Sequence, residues 1–325
     1  MGLEYRKLGR AGVEVSPLCL GCMNFGAPTQ EKESIQIIDK ALDAGINFID
    51  TANVYNDGVS EEIVGKALKN KRDKVVLATK VHGRTGPGPN QWGNSRVHIL
   101  REVEASLKRL QTDHIDLYQL HRPDPKTPMD EQMSTLNDLV RQGKVRYVGT
   151  STFPAWELCQ CQWVCATGGY EPPVSEQPPY SIFCRSVEKR VLRFCEEYGL
   201  AVIPWSPLAG GWLSGKYRKG QTMPEGSRGD RREWDSESHA GRTRLEAVER
   251  LIGLASECGV TLSQFALAWL LANPVVTAPI IGPRTAEQLT DNLGALEFIL
   301  SADVRKAVDA IVEPGADLMG YADAL

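Results

Sequence analysis

The chain has 325 residues, 42% of them hydrophobic, and a formal net charge of −4. That is enough to bury a sizeable core, and it excludes the global basic field that draws proteins to nucleic acid or to anionic membranes. No run of about 18 apolar residues occurs, so no transmembrane helix is expected.

In chain order, the opening residues MGLEYRKLGR lack the apolar stretch of a signal peptide. Arg6 stands where a myristoylation motif requires Ser or Thr, and a cytoplasmic location is expected. Residues 4–15 read as a hairpin able to plug the floor of a barrel. Eight short, apolar, often β-branched segments follow: Leu18–Gly21, Asn47–Asp50, Val75–Lys80, Ile115–His121, Val145–Ser151, Val174–Gln177, Ala201–Ser206 and Ala278–Gly282. Such runs suit parallel strands buried on both faces. Amphipathic stretches lie between them, among them Glu31–Ala44, Ser95–Leu110, Glu131–Arg141 and Ala286–Leu296, with Gly45 and Gly143 placed as left-handed caps. Eight strand–helix units predict a closed (β/α)8 barrel, the TIM-barrel form of the α/β class, as one domain over residues 1–325. Residues 209–243 are expected to form a long, polar, mobile loop. Residues 301–325 should add an extra helix (Ala302–Val312) and a tail.

Cys19 and Cys22 have C-x-x-C spacing, but no second pair follows, and Cys159, Cys161 and Cys165 lack a histidine partner on their predicted helix. No metal site is expected, and buried free thiols are the default in a reducing compartment.

In barrels of this type chemistry gathers at the C-terminal ends of the strands. Four ionisable residues fall there: Asp50 after the second strand with Tyr55 in the next loop, Lys80 ending the third, and His121 ending the fourth. Each has a plain structural reading alone. Asp50 can cap its turn, His121 can be a satisfied strand-end residue, and Tyr55 can be a surface aromatic. Lys80 at the end of a buried strand needs a partner or water. Together they suggest proton donation to a carbonyl oxygen. A free phenol titrates near ~10, and a neighbouring ammonium pulls that value down. Asp50 would hold Lys80 charged. His121 would orient the carbonyl. None of these groups supplies a hydride, so a hydride-donating cofactor is required. A Schiff-base role for Lys80, as in a barrel aldolase, conflicts with a carboxylate that keeps the amine protonated.

The segments DTANVY, ATK and LHRPD resemble the catalytic motifs of the aldo-keto reductase superfamily, over nearly the whole chain from Glu4 to about Leu296. The resemblance implies an NADPH-dependent carbonyl reductase on a (β/α)8 barrel, with Tyr55 as acid, Lys80 and Asp50 as its tuning pair, and His121 orienting the carbonyl. The stretches GNSR, STFP and EQPPYS resemble the branch holding bacterial deoxysugar keto-reductases and the β subunits of voltage-gated potassium channels. Two narrower alternatives follow: a specialised keto-sugar or natural-product reductase, and a cofactor-sensing subunit with little turnover.

No G-x-G-x-x-G motif follows the first strand, so a Rossmann site is not supported. The resemblance places cofactor contacts elsewhere. Ser151, Thr152 and Gln177 match carboxamide ligands, with Thr152 standing where the family usually has Asn. Trp205 matches the aromatic that stacks on the nicotinamide ring. Ser206, Leu208, Gly210 and Lys216 belong to a loop that approaches the pyrophosphate. Gly282, Arg284, Gln288 and Asn292 match the adenosine end, where Arg284 beside a helix N-terminus suits a 2′-phosphate and favours NADPH. Pro283 replaces the more usual Ser or Ala. The substrate rim is expected to draw on Met23, Phe25, Trp92 and Arg122. Trp92 would cover an apolar group or pack structurally. Arg122 would either meet an anionic substrate or pair with Asp124. The expected partner is a small carbonyl compound, with no nucleic acid and no membrane. The sequence does not give the oligomeric state.

Overall fold

A computed structural model of the chain describes residues 3–321. The first two residues and 322–325, the end of the predicted tail, lie outside the described residues. In chain order the elements are β1 (Arg6–Lys7), β2 (Glu14–Val15), β3 (Cys19–Gly21), α1 (Glu31–Asp43), β4 (Phe48–Asp50), α2 (Val59–Ala67), β5 (Val76–Val81), α3 (Arg96–Leu110), β6 (Ile115–Leu120), α4 (Met129–Arg141), β7 (Val145–Ser151), α5 (Ala155–Gly168), β8 (Ser175–Gln177), α6 (Val191–Tyr198), β9 (Ala201–Val202), α7 (Arg228–Arg231), α8 (His239–Glu257), α9 (Leu262–Leu271), β10 (Ile280–Ile281), α10 (Ala286–Leu293) and α11 (Ala302–Asp309).

Strands β3 to β10 form one eight-stranded parallel sheet in the order β10-β3-β4-β5-β6-β7-β8-β9. The ring closes where Thr277 N donates to Val202 O (2.8 Å) and Ile280 N donates to Pro204 O (2.8 Å). This is the predicted (β/α)8 barrel. The β1–β2 hairpin, with Arg6 opposite Val15, caps its floor. Leu8 and Val15 are fully buried there against Phe48, Ala78, Leu117, Ala201 and Ile203. A larger apolar layer fills the space between the sheet and the surrounding helices.

The helix ends follow from local chemistry. After α1, Gly45 takes φ 88°, with Gly45 N donating to Leu42 O and Ile46 N to Ala41 O. After α4, Gly143 (φ 74°) repeats the pattern through Val140 O and Leu139 O. Both are Schellman caps, which a residue without a Cβ forms at no steric cost. Helix α9 starts on a reciprocal cap between Thr261 and Gln264.

The 209–243 segment differs from expectation. It contains a 3-10 turn (Ala209–Ser214) and helix α7, and its last residues already belong to α8. It also carries its own aromatic core: Trp234 stacks on buried Trp212 at 5.0 Å, with Tyr217 beside both. The Tyr217 hydroxyl accepts from Gly229 N (2.9 Å). Past α11, the chain crosses back over the barrel, where Leu318 N donates to Phe183 O and Arg185 N to Ala316 O. Among the described residues, no single helix is long and apolar enough to cross a membrane.

Candidate active site

Strand register brings the four ionisable residues together. Asp50 pairs with Ala78, and Lys80, two residues further along β5, pairs with Gln119 of β6. Lys80 is fully buried and Asp50 nearly so. The Lys80 ammonium donates to Asp50 Oδ1, to Thr51 O (2.8 Å) and to the Tyr55 hydroxyl (3.2 Å). All three of its protons are thereby placed, which is what a buried ammonium requires.

Tyr55 opens a tight turn in which Asn56 and Asp57 are left-handed (φ 49° and 55°), followed by Gly58 at φ 91°. The Asn56 amide secures this turn to the loop after β3 by donating to Phe25 O (2.7 Å) and Ala27 O (3.1 Å). The His121 ring stands edge-on to Tyr55, with centroids 5.7 Å apart.

Sequence reasoning missed Gln119. Its Nε2 donates to Asp50 Oδ2 (3.0 Å), as does Gln177 Nε2 (3.0 Å), and Gln177 Nε2 also donates to Gln119 Oε1 (3.2 Å). Two amides therefore saturate the carboxylate oxygen facing away from Lys80. A glutamine inside the apolar run IDLYQL was the available signal. The amides fit because Gly149 is opposite Gln119: a Cβ there would lie 2.5 Å from Ser175 Oγ and 3.1 Å from Gln119 Cγ.

The electrostatics sort the proton carriers. Burial alone would depress the Lys80 pKa, but Asp50 and then Tyr55 outweigh it, and the net shift is upward. Burial pushes the Tyr55 phenol up; Lys80 pulls it down without reversing the direction. The expected lowering by the ammonium is present as a contribution, while the net result is a phenol that stays protonated at neutral pH. His121 is held well below its ordinary value, first by burial and then by Lys80 and Arg122, so it is neutral at pH 7. The raised ammonium of Lys80 also argues against an amine nucleophile.

On the adjoining strand ends, Ser151 Oγ donates to Gln177 O (2.9 Å), bringing two of the expected carboxamide ligands together. Thr152 is left-handed (φ 63°), a conformation that a β-branched residue adopts only under strain and that Asn tolerates. Its Oγ1 accepts from Arg122 Nη1 (2.6 Å) and Trp205 Nε1 (3.3 Å). Thr152→Asn is expected to raise stability by about 1 kcal/mol. Thermal and urea unfolding measure this, and a lower midpoint would mean that the threonine's packing outweighs the strain.

Beyond Trp205, Ser206, Ala209, Gly210 and Gly211 all have positive φ. Within this turn Ala209 N donates to Ser206 O and Gly211 N to Leu208 O (both 2.8 Å), and the glycines at 210 and 211 let a ligand approach the backbone closely. Lys216, Arg228, Arg231 and Arg284 cluster beside this segment; the Lys216 pKa is lowered by burial and by the three arginines. Arg228 is a member that the sequence reading did not single out. Arg284 Nη1 donates to Gly226 O (3.2 Å), and its own N–H donates to Gln288 Oε1 (2.8 Å). Helix α10 starts at Ala286, as expected, with Thr285 as its N-cap. Gly282 O accepts from Asn24 Nδ2 (3.1 Å). Leu208 is half-buried and packs on the core, Gln288 is exposed, and Asn292 is buried.

The rim residues divide. Met23 is exposed, whereas Phe25, expected at the rim, is fully buried in the core. The Trp92 ring stands edge-on to His82, with Arg84 and Lys126 over it. Arg122 does not pair with Asp124, whose carboxylate accepts instead from Asn94 N, Lys126 N and Thr127 Oγ1. The Tyr321 ring lies 5.0 Å from that of Trp205, placing the end of the described chain beside the site. All eight cysteines are free; Cys159 is exposed rather than buried, a correction to the default above.

A model of the Aldo/keto reductase family matches residues 17–313. The chain belongs to the aldo/keto reductase family. Within the family, it is 45% identical over 327 residues to a Bacillus subtilis (strain 168) protein named uncharacterized oxidoreductase YrpG, spanning 97% of this chain and 98% of the relative. It is 37% identical over 320 residues to a probable voltage-gated potassium channel subunit beta of Oryza sativa subsp. japonica, spanning 96% and 97%. It is 35% identical over 331 residues to versiconal hemiacetal acetate reductase of Aspergillus parasiticus, spanning 93% and 94%. As an aldo/keto reductase, the chain is an oxidoreductase by family, and the family generally uses nicotinamide cofactors.

Proposed function

We propose that this protein reduces an aldehyde or ketone to an alcohol with NADPH, in the cytoplasm, and that Tyr55 is the general acid. The observation that carries the reading is the buried Lys80 ammonium, which joins Asp50 to the Tyr55 hydroxyl in one hydrogen-bonded chain. NADPH, when bound, supplies the hydride. The chain's own residues do the rest. The Tyr55 hydroxyl donates a proton to the carbonyl oxygen as negative charge develops there, and Lys80 stabilises the phenolate left behind. Asp50, held by Gln119 and Gln177, keeps Lys80 charged and in place. Neutral His121 holds the carbonyl oxygen near the phenol.

The residues present fit a nicotinamide dinucleotide. Both Gln177 Nε2 hydrogens are engaged within the site, which leaves its Oε1 to accept from a carboxamide. Trp205 is only partly covered, and the basic cluster beside the glycine turn suits a pyrophosphate and a further phosphate. Arg284→Ala should weaken NADPH binding by about tenfold or more and leave NADH binding nearly unchanged, as loss of a charge-assisted phosphate contact requires. Titration followed by NADPH fluorescence measures this. Unchanged NADPH affinity would remove the basis for preferring it over NADH.

The reaction is tested by following NADPH absorbance across aldehydes, ketones and keto-sugars. A ranking led by keto-sugars would select the specialised reading. The channel-subunit relatives favour a second reading, a cofactor sensor. It predicts tight NADPH binding with negligible oxidation by any carbonyl.

A further inference from the structure

Arg122 sits beside the proposed acid as a half-buried cation without a counter-ion. It follows β6 and His121 directly. Its Nη1 donates to Thr152 Oγ1 (2.6 Å) and to the carbonyl of His121 (3.0 Å), both uncharged acceptors. Its guanidinium carbon lies 5.4 Å from the centre of the Trp205 ring. None of the ion pairs formed among the described residues includes it. Its Nε and Nη2 bond no described residue and are not enclosed polar atoms, so they remain available as donors.

The two carboxylates that could neutralise it do not. Asp124 is spent on its own loop, on Asn94 N and Thr127 Oγ1. Glu176 is fully buried on β8 and accepts from Thr150 Oγ1 (2.6 Å) and Phe153 N (3.1 Å). Burial pushes its carboxyl up to about 8, so it is largely protonated at neutral pH. Lys80 is already paired with Asp50. Among the described residues, then, no carboxylate matches the Arg122 charge beside Tyr55. Holding a partly desolvated charge in that way costs stability, and the cost is recovered when an anion arrives.

We infer that Arg122 recognises an oxyanion on the substrate, a carboxylate or a phosphate ester, and so selects carbonyl compounds that carry such a group near the carbonyl. The planar fork with free Nε and Nη2 donors matches a two-oxygen acceptor bidentately, a geometry that lysine cannot copy. The inference rests on the reductase reading, whose residues surround Arg122.

The test compares matched pairs: 4-carboxybenzaldehyde with benzaldehyde, and glyceraldehyde 3-phosphate with glyceraldehyde. The ratio of kcat/KM within each pair is measured for wild type, Arg122→Met and Arg122→Lys. Wild type should favour the anionic member of at least one pair by about 10–100-fold, carried mainly by KM, and the pair that shows it names the oxyanion. Arg122→Met should bring that ratio close to one, and Arg122→Lys should restore only part of it. Equal ratios in wild type and Arg122→Met overturn the proposal while leaving the reductase reading intact. A binding measurement does not depend on turnover. Benzoate and inorganic phosphate are titrated against NADP+-loaded protein by tryptophan fluorescence. At least one should bind about tenfold more weakly to Arg122→Met. If neither distinguishes the two proteins, Arg122 is not an anion receptor. If Arg122-dependent binding is seen without reduction of any carbonyl, the anion site stands and the reductase reading falls.

Discussion

Tyr55→Phe should reduce kcat/KM for carbonyl reduction by about 10²–10⁴-fold, the usual contribution of a placed general acid, with little change in NADPH affinity. The substitution removes one hydroxyl from a ring that the Asn56 turn continues to hold, so cofactor binding separates lost chemistry from lost structure. A variant that keeps a tenth or more of the wild-type rate would assign the proton to another donor. The pH profile has a defined sign. With Tyr55 as the proposed acid, the active form would be the neutral phenol, and burial raises its pKa above the ordinary value. Activity that depends on it should persist through neutral pH and decline only as pH rises through that raised pKa.

Lys80→Met should produce the largest loss of stability, about 3–5 kcal/mol, because it strands Asp50 as a buried carboxylate with no cation. Urea unfolding measures it. The double variant Asp50→Asn/Lys80→Met should be more stable than Lys80→Met alone, since it removes the stranded charge as well as its partner. Equal stability of the two would show that water reaches Asp50. The linkage has a definite direction. Lys80 has a raised pKa in the folded protein, so its contribution is complete below its unfolded value of ~10.4. That contribution is lost as pH rises through the higher folded value. Lys80→Met should lack that alkaline loss.

The sequence was most legible where burial was simplest. Strand β7 matches its predicted span, Val145–Ser151, because a short run rich in β-formers, VRYV, flanked by Gly143 and by Thr152-Phe153-Pro154 admits few alternatives. Strands β9 and β10 came out shorter than Ala201–Ser206 and Ala278–Gly282, since Pro204 and Pro279 have no N–H for a ladder. Helix α9 was not singled out because LSQFALAWLL is apolar on nearly all sides and shows no stripe. Asp50, Tyr55, Lys80 and His121 were readable because each is a charged or polar residue at a predicted strand end or just past it. Gln119, Arg228 and the left-handed state of Thr152 were not. The first is a polar residue within a strand, the second sits in a segment that reads as loop, and a backbone angle leaves no mark in composition. Whether Arg122 pairs with Asp124 was open in the sequence because only three dimensions show what else Asp124 holds.

The place where the ring closes has a bearing on exchange with solvent. Elsewhere the sheet is tied by regular ladders, such as β5–β6–β7. Between β9 and β10 the closure rests on a few bonds around two prolines, with Val202 O accepting from both Thr277 N (2.8 Å) and Ala278 N (3.4 Å). Local opening costs least where backbone bonds are fewest. This junction is thus one of the barrel's thinner seams. Trp205 leaves one side of it and Arg284 the other, so a transient parting there would spread the two arms proposed to hold the dinucleotide while the ring of Asp50, Lys80 and Gln119 stays closed.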